Sequence, residues 1–166
     1  MKQQEQAFVQ LITRHQGIIH KVCGMYCNQD EERRDLFQDI VLQLWRAYES
    51  FKGESKISTW MYRVALNTAI SGFRKQKRKP EQSRLSDRAY EVPIVLPDPD
   101  MEEKRTFLYK AIDQLSEVEK GIVMLHLEDH SYEEIAEIIG ITPNYVGVKL
   151  NRIKQRLKKI LQPHFV

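Results

Sequence analysis

Apolar positions along this chain recur at spacings of three and four, the period of an amphipathic helix. Phe8, Leu11 and Ile12 begin such a segment, and Ile18, Ile19, Val22 and Met25 continue it. Asn28 followed by Glu31 is a start signal for a second helix, in which Leu36, Ile40, Val41, Leu44 and Tyr48 share one face. The other face carries Asp35, Gln38, Asp39, Leu42 and Arg46. Gly53 breaks the pattern, and Ser55 can cap a third helix through Ile57, Met61, Val64, Ala65, Ala69 and Phe73. Later in the chain Ser116 and Glu119 form a Ser-x-x-Glu capping-box pair, as do Ser131 and Glu134. Thr142-Pro143 sets a cap before a proline at the first helical position. These signals predict helices over about 102–115, 117–128, 132–139 and 143–161. The expected fold class is all-α.

A length of 166 residues suits one ordinary domain or two small ones. The stretch between Lys79 and Met101 decides for two, because it holds Pro80, Pro93, Pro97 and Pro99, four of the six prolines. Pro97-Asp98-Pro99-Asp100 is not expected to continue a helix. The predicted organisation is a helical module over 1–79, an extended linker over 80–101 and a second module over 102–166, with a three- to four-helix bundle first and a helix-turn-helix bundle last. Only 7 Gly and 6 Pro disfavour an all-β chain of tight turns, and 2 Cys exclude a disulfide-built scaffold. No apolar run approaches the ~18–20 residues that cross a bilayer. The opening MKQQEQAF lacks the apolar stretch of a secretory signal, so a cytoplasmic protein without membrane insertion is expected.

A formal net charge of +3 says little, but its distribution says more. Residues 74–79 read Arg-Lys-Gln-Lys-Arg-Lys, whereas 81–103 carry seven acids against two bases. Residues 138–166 carry six bases (Lys149, Arg152, Lys154, Arg156, Lys158 and Lys159) and no acid. Two basic helical segments separated by an acidic stretch point to a polyanion gripped at two places.

The segment from Ser131 to Lys159 has helix-turn-helix spacing. Ala136 is small where two helices cross, Gly140 can take the left-handed conformation of the turn, and Val146 packs back on the first helix. Val146, Leu150, Ile153, Leu157 and Leu161 face the core at helical spacing, leaving Asn144, Val148, Asn151, Arg152 and Gln155 opposite. A helix-turn-helix sets the start of its second helix in the major groove. There Asn suits adenine, Arg suits guanine and an exposed Val suits a thymine methyl. Gly147 either lets backbone approach DNA or is a neutral surface glycine. In the first module Phe51, Trp60, Tyr62 and Phe73 lie near a helix bearing Asn67, Ser71 and Arg74. Aromatic rings beside cations suit unstacked bases, although aromatics at helical spacing also build cores.

Other classes are weighed on the same residues. An ordinary helix-turn-helix regulator would bind palindromic duplex as a dimer without further machinery. His20, Cys23 and Cys27, at spacings of 3 and 4, raise a metal or thiol sensor, but this is not the spacing of a closed zinc site and buried cysteines account for it. No nucleophile–base grouping or Gly-rich phosphate loop is visible, so no enzyme, catalytic residue, metal or cofactor is expected.

Three separated motifs carry a family resemblance. Asp35-Leu36-Phe37-Gln38-Asp39-Ile40-Val41-Leu42-Gln43-Leu44-Trp45 is similar to the clamp-binding helix of bacterial sigma-70 family factors. Residues 51–67, Phe51-Lys52-Gly53-Glu54-Ser55 through Thr59-Trp60 to Asn67, resemble the loop and helix used at the −10 promoter element. Leu127 through Leu150, with Ser131-Tyr132-Glu133-Glu134-Ile135-Ala136, resembles the −35-binding helix-turn-helix. The likeness covers nearly the whole chain in order, the pattern of the minimal, extracytoplasmic-function (ECF) group.

The resemblance implies core RNA polymerase and promoter DNA as partners, with contacts to the largest-subunit clamp and the flap. Asp35, Gln38, Asp39, Leu42 and Arg46 would meet the clamp. The 50–57 loop, with Lys52 and Ser55, and Asn67 would receive a flipped base, and Thr59 and Trp60 would belong to the same −10 DNA-binding set. Ser71, Arg74, Lys75, Lys77 and Arg78 would hold −10 DNA. Asn144, Gly147, Val148, Asn151, Arg152 and Gln155 would read the −35 duplex. The acidic linker would thread towards the polymerase active-site channel, and an anti-sigma factor is an implied inhibitor. Four positions depart from the family's habit: Gly147 and Leu66 stand where a basic residue is common, Val148 where Ser is, and Ser71 where Asp is.

Overall fold

The computed structural model describes residues 2–77 and 99–164. Among them are seven α-helices and one closing 3-10 turn, and no strand. The chain divides into two compact units, Met1–Ala89 and Tyr90–Val166. The first holds α1 (Lys2–Tyr26), α2 (Asp30–Tyr48) and α3 (Ile57–Lys77). The second holds α4 (Pro99–Ile112), α5 (Glu117–Leu127), α6 (Tyr132–Ile139) and α7 (Pro143–Leu161).

In the first unit each helix packs on the other two. α1 is two helical segments joined at a kink, where His15 leaves helical geometry (φ −112°, ψ 17°) two residues before Gly17. Each segment thereby turns its own apolar stripe inward: Phe8 from the first, and Ile19, Val22, Met25 and Tyr26 from the second. α2 contributes Ile40 and Leu44, with Leu36, Val41 and Tyr48 half-buried along the flank of the same face. α3 fills the middle with Trp60, Met61, Tyr62 and Leu66, and its buried Ala65 and Ala69 keep it close to its neighbours.

Two start signals fall one residue away from the expected place. The cap position of α2 is Gln29, which makes no side-chain cap bond, rather than Asn28. Acidic Asp30, Glu31 and Glu32 in the first turn favour the helix start through the dipole instead. α3 opens with the Trp60 N–H donating to the Lys56 carbonyl at 3.1 Å, so the cap position is Lys56 and not Ser55.

The second unit starts earlier than its prolines suggest. Residues 80–98 of the expected linker lie outside the described residues, and residues 99–101 are helical, with Pro99 at the first position of α4. A proline is tolerated there because no intrahelical N–H bond is required of it. α5 starts in a complete capping box: Glu119 N–H donates to Ser116 Oγ at 3.2 Å, and Ser116 N–H to Glu119 Oε1 at 3.0 Å. The Ser131–Glu134 pair makes half of one. Glu134 N–H donates to Ser131 Oγ at 3.1 Å, but the carboxylate is engaged by His130 Nδ1 at 2.9 Å and the Ser131 hydroxyl at 3.3 Å. Ile112, Ile122, Leu125, Ile135, Val146, Leu150 and Ile153 form the core these helices share.

Candidate nucleic-acid and partner interfaces

The face of α2 opposite Ile40 and Leu44 is open. Asp35, Gln38, Asp39, Leu42 and Arg46 line it, and Leu42 keeps 43% of its surface in solvent between charged neighbours. Trp45, not among the expected contacts, adds an exposed edge. Its ring stands edge-on to Phe8 at 4.9 Å, so the indole is braced by the core rather than free. Apolar groups presented on a rigid helix among charges suit a protein partner better than bulk water.

The expected −10 residues separate into two sets. Lys52 is exposed in the loop before α3, and Ser55 is half-buried. Gly53 takes φ +72°, a left-handed conformation that lets the loop fold back towards the helix. Phe51 lies on Trp60, with centroids 4.8 Å apart and planes at 32°. Thr59 and Trp60, however, are only 4% and 7% exposed. Both belong to the core, so in this arrangement they shape the loop rather than present themselves to a base. Sequence spacing could not separate these roles, because Trp60 recurs with the buried positions of α3. Asn67 and Ser71 are exposed. Helical backbone continues through Lys77, so positions 67, 71 and 74 recur at spacings of four and three on one stripe, with 75 and 77 beside it. Arg78 lies outside the described residues. A groove of about 400 Å³ also runs under the loop, lined by Gln10, Arg14, Tyr48, Phe51, Gly53 and Ile57 among others.

The α6–α7 pair has helix-turn-helix geometry. Gly140 ends α6 at φ +88°, and its N–H and that of Ile141 both donate to the Ala136 carbonyl, at 2.8 and 3.1 Å. Thr142 Oγ1 then accepts from Tyr145 N–H at 3.2 Å, starting α7 with Pro143 in its first turn. α7 buries Val146, Leu150 and Ile153, with Leu157 and Leu161 half-buried on the same line. Asn144, Val148, Asn151, Arg152 and Gln155 are exposed opposite, and Gly147 is half-buried. Two tyrosines that periodicity did not single out also reach this surface: Tyr132, the first residue of α6, and Tyr145, whose ring is 5.5 Å from Lys149 Nζ.

The far part of α7 is tied to the α4–α5 turn. Arg156 donates to the Gln114 carbonyl at 3.3 Å and pairs with Glu119 Oε1 at 3.6 Å. Partial burial raises the Glu119 carboxyl, but the Ser116 N–H and hydroxyl, with Lys149 and Arg156, outweigh it and hold the pKa below the usual 4.5. The opposite holds at Cys23: burial, with Cys27 nearby, pushes the thiol up to about 12. It remains a protonated core group. Among the described residues no three His, Cys, Asp or Glu converge as metal ligands, and no helix is long and apolar enough to cross a membrane.

Residues 11–79 match the Sigma-70 region 2 family and residues 108–157 the Sigma-70, region 4 family. The chain is 30% identical over 170 residues to the ECF RNA polymerase sigma-E factor of Haemophilus influenzae, covering 96% of this chain and 89% of that one. It is 29% identical over 173 residues to the protein of the same name in Escherichia coli K12, covering 98% and 90%. A similar fold is seen in the sigma factor RpoE of Bartonella quintana, solved with the anti-sigma factor NepR (TM-score 0.67, 20% identity, 98% of each chain). CnrH, solved with the cytosolic domain of CnrY, is alike to the same degree (TM-score 0.67, 16% identity, 96% and 90%). With both regions matched in order, and relatives that span it nearly end to end, this chain belongs to the sigma-70 family, in its ECF group.

Proposed function

We propose that this chain joins core RNA polymerase in the cytoplasm and directs it to start transcription at a particular set of promoters. It performs no bond chemistry itself; the reaction is the polymerase's. In this reading Asp35, Gln38, Asp39, Leu42 and Arg46 meet the clamp of the largest subunit, while the second unit lies near the flap. Asn144, Gly147, Val148, Asn151, Arg152 and Gln155 face the −35 duplex. The 50–57 loop with Asn67 takes a flipped base, and Ser71, Arg74, Lys75, Lys77 and Arg78 follow the −10 backbone. The domain roles are region 2 over 1–79, linker over 80–101 and region 4 over 102–166. One observation carries the reading: the open face of α2 and the open face of α7 stand on separate compact units, each bearing the exposed residues its motif requires.

Neither unit has to hold promoter DNA tightly alone. Once polymerase sets their separation, the second contact is intramolecular and its effective concentration rises to about millimolar. Opening is then capture. Unpairing a base costs a few kcal/mol, which a pocket offsets by stacking and edge hydrogen bonds. The Bartonella quintana relative was solved with an anti-sigma factor, and we extend that kind of control to this chain.

The test is transcription by core polymerase on genomic DNA, with and without the chain, followed by start-site mapping. Starts that depend on the chain and share two spaced sequence elements are expected. No chain-dependent start, or a symmetric palindromic footprint without polymerase, refutes the reading and favours an ordinary regulator.

A further inference from the structure

Gly147 stands within the open face of α7, between Asn144 and Asn151, and adds no side chain to it. The space beside it is bordered by an aromatic ring. The Tyr132 ring lies against it, with Cε2 and Cδ2 at 3.4 and 3.8 Å from where a Cβ on Gly147 would stand. The backbone that carries this ring is held by the Ser131 cap, whose Oγ accepts from Glu134 N–H at 3.1 Å. Tyr132 is still 40% exposed, and Val148, next to Gly147, is 45% exposed. Single apolar groups in water need no explanation, but this ring stands at the edge of the polar stripe that carries Asn144 and Asn151, on a face otherwise suited to hydrogen bonding.

We infer that Tyr132 is a sequence-reading residue outside the recognition helix. Its ring flanks position 147 at the edge of the open face and makes the apolar contact to a thymine methyl of the −35 duplex. That methyl is the apolar group on the major-groove edge of the base pairs, and hydrogen-bonding side chains cannot read it. A cation at position 147 would select guanine or a phosphate instead. The inference rests on the proposed −35 role of α7.

Polymerase holoenzyme made with the full chain is offered duplexes randomised over the −35 element, and the bound members are sequenced. The wild type selects thymine at one position or more. Tyr132→Ala lowers that preference about fivefold, Tyr132→Phe keeps it, and preferences read through Arg152 persist in both. Replacing the selected thymine with uracil removes only the methyl, so its effect does not depend on how a variant folds. It weakens the wild-type complex by the same factor and leaves the Tyr132→Ala complex unchanged. A thymine preference that survives Tyr132→Ala, or a Tyr132→Ala loss equal for all sequences, overturns the inference alone. A wild-type holoenzyme that selects no −35 sequence overturns the α7 role beneath it as well.

Discussion

The same substitution at two glycines of the helix-turn-helix should move stability in opposite directions. At Gly140, φ is +88° and an added Cβ would meet nothing within 4 Å, so the cost of Gly140→Ala is purely conformational. Holding an L-residue in the left-handed region costs about 1–2 kcal/mol. Gly147 lies inside α7, and its Cβ would reach Tyr132 Cε2 at 3.4 Å, an ordinary contact. There Gly147→Ala gains up to about 1 kcal/mol of helix propensity. The difference of roughly 2 kcal/mol corresponds to a Tm separation on the order of 10 °C for a domain of this size. Both tryptophans, Trp45 and Trp60, stand in the first unit, so fluorescence reports that unit while far-UV circular dichroism reports all helices. Thermal melts of the full chain should shift by circular dichroism and leave the tryptophan transition in place. Shifts of the same sign for both variants would refute the argument, as would a matching shift in fluorescence.

Other perturbations test single surfaces. Leu42→Arg should weaken core polymerase binding at least about tenfold with little change in the melting curve, since Leu42 is exposed and outside the core; equal affinity would remove α2 from that interface. Alanine at Arg74, Lys75, Lys77 and Arg78 together should flatten the salt dependence of promoter complexes, by about 0.9 in log–log slope for each phosphate left without its cation. Arg152→Ala should instead relax one −35 base preference and leave polymerase affinity intact. Ser116→Ala should cost about 1 kcal/mol by removing the cap. Glu119 has a folded pKa below 4.5, so its contribution is complete above about pH 4.5 and fades as pH falls through the folded value. Urea melts from pH 7 to pH 3 should therefore show a shallower acid loss in Ser116→Ala than in the wild type.

Much of the helical layout is legible in the sequence because its signals are local. Ser116, Thr142 with Pro143, and Gly140 act on backbone groups a few residues away, so spacing alone locates the start of α5, the end of α6 and the start of α7. The open and buried faces of α2 and α7 follow from periodicity for the same reason. Where local chemistry is weak, spacing misplaces the start. Asn28 and Ser55 look like caps, yet Gln29 and Lys56 occupy the cap positions, with first-turn acids favouring the start of α2 alone. Pro99 reads as a breaker but opens α4.

Side-chain roles depend on neighbours distant in sequence, and these divide differently. Thr59 and Trp60 share the loop motif with Lys52, but Phe51 closes over Trp60 and the core claims both. Leu66, where the family often carries a cation, is 1% exposed, a departure that the packing absorbs. Gly147 carries no local hint that an aromatic ring fifteen positions earlier would border it. Periodicity and capping therefore settle which residues are helical and which stripe turns inward, because hydrogen bonds and side-chain geometry act within a turn or two. Which exposed groups meet, and which aromatic is withdrawn, follows from close packing between helices, and that is resolved only when the helices have come together.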